Sequence, residues 1–382
     1  MDMRYGLNSL VMGAALGVQS IAWADHEADT EIIFENPQIK SYIITKRSCD
    51  GANARHPVCQ YPKSFTITPL TGLTAATALN SEGQIAGVTV GIDREGEREV
   101  KRFHAGLWRN GNVTDLGMLG CRTSVTICQS GAKALNVQGH VVGESSNDYV
   151  SPYYLHAFVW RDGAMTALPE PGSEWSSATG INDSGNMVGY GRYVVDYLEH
   201  GWINIDNHLI VIGGEGQNSR ANAINNRNVA AGAINVGGTA YAFLWENNTI
   251  RLAGTFGSMG SHAYDLNNKW RPQVVGSSRN NEGLLRGFLW QRGMMYNLGV
   301  LPDAEDSIAR AINNRGQIVG TSGSRGVIWQ NGEVRDLNTL LVGVPQDPPP
   351  GAIVTDAIDI DWHGRILAVG ENGANYLLTP NY

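Results

Sequence analysis

One short pattern recurs through the chain, an alternation of small residues that ends in asparagine. It reads TAATALN to Asn80, SGAKALN to Asn136, SSATGIN to Asn182, SRANAIN to Asn225, SHAYDLN to Asn267 and SIARAIN to Asn313. A seventh copy, IVTDAID, ends at Asp359, and successive copies are 56, 46, 43, 42, 46 and 46 residues apart. Recurrence at a near-constant period marks one structural unit used seven times. Within residues 307 to 338 the unit resolves into four strand-like runs, SIARAIN, QIVGTS, RGVIW and EVRDLN, separated by turn residues. The first turn is N-x-x-G, in which glycine takes the positive φ. The turn after the tryptophan is RNG, RDG, ENN or QNG, residue types that tolerate positive φ at both centres of a type I′ hairpin.

Four short antiparallel strands per unit of about 45 residues, with no helical periodicity, predict a propeller blade. The expected fold is all-β, a seven-bladed β-propeller of four-stranded antiparallel blades. Ser219, Ala221 and Ala223 share one face of their strand by the period of two, as do Ser307, Ala309 and Ala311. Small side chains of this kind suit the crowded axis. The recurring motif HAFVW at 156 to 160, with HAGLW at 104, YAFLW at 241, RGFLW at 286 and RGVIW at 325, is read as packing farther out. The chain stops at Tyr382 without a fourth strand for the last unit, while SFTITPLTGL at 64 to 73 precedes the first. This segment is expected to complete the seventh blade as an N-terminal closing strand and so leave no open edge.

These residues resemble the HAF-repeat family of bacterial extracellular repeat proteins. Ala134 to Asn136, Val141 to Gly143, His156 to Trp160 and Asp115 to Gly120 match that family's pattern. The resemblance runs over about residues 64 to 380 and implies an exported repeat protein with no assigned molecular activity. Two copies depart from the pattern: the third reads HGWIN at 200 to 204, and the fourth reads NNRNVAAG without the turn glycine.

The first residues carry Arg4, a mildly apolar run from Leu7 to Ala22, and small residues at Ala22 and Ala24. This reads as an export leader, 1–24, cleaved after Ala24. An extension at 25–63 and the propeller at 64–382 follow. No later stretch has the roughly 18 uninterrupted apolar residues of a membrane span. The expected location is periplasmic or extracellular, where Cys49, Cys59, Cys121 and Cys128 can oxidise. Four cysteines allow three pairings, and local pairing of Cys49 with Cys59 and of Cys121 with Cys128 is expected. The net charge of −8 argues against a nucleic-acid partner.

No nucleophile elbow, phosphate loop, metalloprotease helix or calcium loop is present. His104, His156 and His200 fall at the same place in different units, so they would not converge on a metal ion. No metal site or cofactor is expected, and the catalytic residues, if catalysis occurs, are unknown. Binding has more support. The connections after the second and fourth strands vary, and loops on a rigid scaffold carry recognition. They are rich in aromatics, which offer contact area at low entropic cost: Tyr149, Tyr153, Tyr154, Trp175, Tyr193 and Tyr197, with Tyr190 beside them. Strand extension is the alternative role for these tyrosines. The expected function is an exported, monomeric repeat protein that binds a protein or polysaccharide at the cell surface through this loop face of units two and three. The alternatives are a hydrolase or lyase of an extracellular polymer, with paired acids at the central mouth, and a structural envelope component.

Overall fold

In a computed structural model each blade is built on a four-stranded antiparallel sheet. The structure describes the strands Val18–Ile21 and Glu31–Glu35 and residues 61–382 apart from 96, 122–127, 148–150, 170–172, 215, 258 and 343–353. The small-residue runs are the innermost strands. Ala75–Leu79, Ser130–Leu135, Ser173–Ile181, Ser219–Ile224, Ser261–Leu266, Ser307–Ile312 and Val354–Ile360 open blades 1 to 7. The chain is thus a seven-bladed β-propeller, as the repeat predicts. Its core is a ring of layers between blades, as where Ile203 and Ile212 of blade 3 pack on Ala221, Phe243 and Trp245 of blade 4.

Turn chemistry explains the regularity. Asn110 and Gly111, Asp162 and Gly163, Asp206 and Asn207, Asn247 and Asn248, Arg292 and Gly293, and Asn331 and Gly332 all have positive φ, as a type I′ hairpin requires. In the fourth blade Asn228, at φ 60°, stands where other blades place glycine; asparagine tolerates this region better than other side chains.

Every innermost strand carries a register shift two residues before its terminal turn, at Ala76/Ala78, Ala132/Ala134, Ala178/Gly180, Ala221/Ala223, Ala263/Asp265, Ala309/Ala311 and Ala357/Asp359. The bulge interrupts the simple alternation expected from the sequence. It also explains Gly232 and Gly320, the counterparts of Gly143: a Cβ on Gly232 would lie 1.9 Å from the Arg220 carbonyl oxygen, and one on Gly320 would lie 2.0 Å from that of Ile308. The bulge positions correct the seventh copy. Its terminal residue is Asp361, not Asp359, because Asp361 makes the turn bonds to Arg365 and Gly364 that Asn80 makes to Gln84 and Gly83.

The closing strand forms as expected. Ser64–Pro69 pairs antiparallel with Asn375–Asn381, and Leu341–Val342 lies parallel along its outer side. Glu31–Glu35 runs parallel to the outermost strand of blade 4, Thr249–Leu252, and Val18–Ile21, within the expected leader, pairs with it. Cys121 and Cys128 are joined by a disulfide, whereas Cys49 and Cys59 lie outside the described residues.

The blades are laced together around one end of the axis. The side-chain amide of Asn80 donates to the carbonyl of Asn136 at 2.8 Å, Asn136 to Asn182 at 3.1 Å, Asn182 to Asn225 at 3.0 Å, Asn225 to Asn267 at 3.0 Å, Asn267 to Asn313 at 3.3 Å and Asn313 to Asp361 at 3.0 Å. At the start of the innermost strands a serine does similar work. Ser219 Oγ accepts from Gly201 N at 2.8 Å and donates to the Ile212 carbonyl at 2.7 Å. Ser130, Ser261 and Ser307 repeat this arrangement on Ala105, Ala242 and Gly287. The second residue of the HAFVW-type motif is therefore small because its backbone meets the neighbouring blade. The buried Phe158, Phe243 and Phe288 are packing residues, as read.

Candidate functional site

The connections that vary in sequence gather at the end of the propeller opposite the asparagine turns. They are less loop-like than expected. In blade 1 the variable segment is a two-stranded ribbon, Ile85–Glu95 and Arg98–Arg109. Tyr153 and Tyr154 lie in the strand Ser151–Arg161, Trp175 in Ser173–Ile181, and Tyr190 and Tyr193 in Met187–Tyr193. Tyr197 is in the following turn at φ 58°. Tyr149 lies outside the described residues. Strand extension, the alternative role, thus describes most of these positions.

Their exposure divides them. Tyr154 and Tyr197 are exposed, as are Val194 and Val195 of the same blade 3 turn. Tyr193 instead packs edge-on against His200, with ring centroids 5.2 Å apart. Asp196 anchors that turn by accepting from Leu198 N at 3.1 Å and pairing with His200 Nε2 at 2.9 Å. Burial opposes ionisation there, yet the Leu198 N–H and the His200 ring together hold the Asp196 carboxyl below its ordinary value.

Trp175 leads toward a cavity. Its ring meets Tyr190 edge-on at 5.7 Å, and the Arg220 guanidinium of blade 4 lies 4.6 Å from the Tyr190 ring centre. Arg220 Nε also donates to Glu199 Oε2 at 2.5 Å. Arg220 and Glu199, with Asn222, His262 and Tyr264, line a cavity of about 410 Å³ between blades 3 and 5. His262 is partly solvent-facing, but the cavity wall and then the Arg220 charge hold its imidazole below the ordinary value. The result is a concave surface carrying both charges, an amide, a phenol and an imidazole, with aromatic rings on its blade 3 side.

Sequence reasoning missed Arg220, His262 and Tyr264, which fall inside the repeated small-residue strands. For Arg220 and His262 the signal was present: SRANAIN and SHAYDLN place large polar residues at the second position, where the first three copies have Ala75, Gly131 and Ser177. The same departure marks Asp265. Asp265 and Asp359 occupy corresponding positions in blades 5 and 7, where blades 1, 2, 4 and 6 carry alanine. Asp265 accepts from Leu266 N at 2.7 Å and from Ile312 N of the next blade at 2.8 Å. Asp359 accepts from Ile360 N and from Leu79 N, both at 2.7 Å. Enclosure by protein, then the charge of Asp359, pushes Asp265 up to about 7. Enclosure likewise pushes Asp359 up to about 6.

The motif histidines do not converge. His104 pairs with Asp115 at 2.8 Å, and His200 with Asp196, each within its own blade. No group of three potential metal ligands occurs among the described residues. No helix of the described residues is long and apolar enough to cross a membrane.

No family model and no curated protein matches the chain. Several solved structures are similar at 10 to 12% identity. Virginiamycin B lyase from Staphylococcus aureus aligns over 83% of this chain and 99% of its own, at 10% identity and a TM-score of 0.46. A gluconolactonase from Xanthomonas campestris aligns over 65% and 86%, at 11% and 0.36. Pyrococcus horikoshii acylaminoacyl peptidase aligns over 81% of this chain but 52% of its own, at 12% and 0.47. These likenesses carry no argument about ligand or activity.

Proposed function

We propose that this chain is an exported recognition protein of the HAF-repeat type that binds a protein or polysaccharide partner at the cell surface. The binding surface is the variable mouth from blade 3 to blade 5. The observation that carries this reading is the continuity of Trp175, Tyr190 and Arg220 with the cavity lined by Glu199, His262 and Tyr264. Aromatic faces beside convergent polar groups in a concavity are the usual composition of a binding site. The Cys121–Cys128 bridge is consistent with an oxidising location, periplasmic or extracellular.

A polymer hydrolase acting through paired acids has less support. Both oxygens of Asp265 and both of Asp359 accept backbone N–H groups, so these carboxylates hold strands together.

The test is capture from an immobilised glycan panel and from cell-surface protein extract. The native chain is compared with a Trp175→Ala/Arg220→Ala variant whose fold is verified by circular dichroism. Selective capture that the variant loses supports the reading. Capture that the variant keeps contradicts it.

A further inference from the structure

A second cavity lies at the opposite end of the propeller, away from the variable mouth. Four turns enclose it: the first and third turns of blade 5 and the corresponding turns of blade 6. Its volume is about 480 Å³, within the range of small-ligand sites. Lys269, Arg292 and Arg315 line it, and no aspartate or glutamate among the described residues does. In a chain of net charge −8, a cavity with cations on three of its turns and no lining carboxylate is a local reversal of sign.

One turn of this wall departs from the repeat. In the first turn Gln84 follows Asn80, and Gln317 follows Asn313, by four positions, but Gln273 follows Asn267 by six. Within that turn Lys269 lines the cavity, and its Nζ donates to Gln273 Oε1 at 2.6 Å. Gln273 Nε2 in turn donates to Gln291 Oε1 at 2.7 Å. Arg292 is exposed at the first centre of the third turn, with φ 53°. Arg315 is positioned by Tyr382, whose hydroxyl accepts from its Nη1 at 2.8 Å, and by the Trp362 ring 5.3 Å away. The floor is apolar, from Leu289, Ile318 and Trp329, with Tyr296 beside it.

We propose that this inter-blade cavity binds an acidic sugar residue. Guanidinium groups pair with a carboxylate in a fixed fork geometry. The Gln291 side-chain N–H groups offer donors to hydroxyls, and Tyr296, beside the apolar floor, meets the C–H face of the ring. The site is separate from the variable mouth and does not depend on the reading given for it.

The experiment is isothermal titration of the full chain with tetragalacturonate, maltotetraose and inorganic sulfate, at low and high salt. It is repeated with Lys269→Gln/Arg292→Gln and with Arg220→Ala. Tetragalacturonate binds at least about tenfold more tightly than maltotetraose and weakens with salt. The Lys269→Gln/Arg292→Gln variant loses at least about tenfold in affinity with its melting temperature unchanged, while Arg220→Ala binds as the native chain does. Equal binding of the neutral sugar, an unaffected double variant, loss in Arg220→Ala instead, or no heat with any probe overturns the proposal. Sulfate binding as tightly as tetragalacturonate overturns the sugar assignment.

Discussion

Arg365 joins the last blade to the first: its Nη2 donates to the carbonyl of Ser81 at 2.8 Å while its Nε holds Asp361 at 2.6 Å. Six asparagines lace successive blades through their side-chain amides, and Asp361, a carboxylate in the seventh position, cannot donate in the same way. The ion pair therefore takes over at the seam where the ring closes.

Arg365→Gln leaves the Asp361 carboxylate, 1% exposed, without its cation. Removing one partner of a buried pair costs about 3 to 5 kcal/mol. The double variant Asp361→Asn/Arg365→Gln recreates the Asn80–Gln84 and Asn313–Gln317 arrangement, in which the asparagine amide donates to glutamine Oε1 at 2.9 and 2.8 Å. It is expected to recover to within about 1 kcal/mol of the native chain, since both buried groups are then paired. Urea titration of the three proteins measures both values.

Asn182 tests the lacing inside the ring. Its Oδ1 accepts from Ser184 N and Asn186 N, and its Nδ2 donates to the Asn225 carbonyl and to Asn228 Oδ1. Asn182→Ala strands these buried partners and is expected to destabilise the fold by about 2 to 4 kcal/mol, read as a lower urea midpoint. A change within about 0.5 kcal/mol, the range of a neutral surface substitution, would deny the lacing a structural role.

Asp265 and Asp359 predict a pH dependence. Unfolded, each ionises near 3.8; folded, they hold their protons up to about 7 and about 6. The folded state carries the extra protons between these limits, so this contribution is fully present below about pH 4 and is lost as pH rises toward 7. The Asp265→Asn/Asp359→Asn variant lacks it. It also faces backbone N–H groups with amides that each supply only one acceptor, so it melts lower than the native chain. The gap in melting temperature between the two proteins is expected to be larger at pH 5 than at pH 8 by a few degrees. Calorimetry across this range checks the sign, and a gap that widens with pH would refute it.

Much of this architecture was legible because turn chemistry is local. Positive φ at Asn110 and Gly111, or at Asn331 and Gly332, follows from the residue types alone, while the blade count follows from the repeat period and the closing strand at Ser64–Pro69 from the strand missing in the last unit. The seventh register was not legible, because AIDID offers two carboxylates two residues apart and only the hydrogen bonds of the turn distinguish Asp361 from Asp359. The candidate site was half legible. Trp175 and Tyr197 stood out by composition, but Arg220 and His262 come together from innermost strands 42 residues apart in sequence, a proximity created by blade packing. Tyr193 has the same residue type as Tyr197, yet its neighbour His200 turns it into a packing residue.

The most direct measurement of the proposed binding surface is hydrogen exchange on the full chain, with and without the tightest-binding component recovered from the surface panel. Ligand-dependent protection is predicted in peptides covering 190–199, 218–222 and 262–264, around Tyr190, Glu199, Arg220, His262 and Tyr264. Protection confined to the asparagine turns at the other end, or spread evenly over the blades, would contradict recognition at the variable mouth.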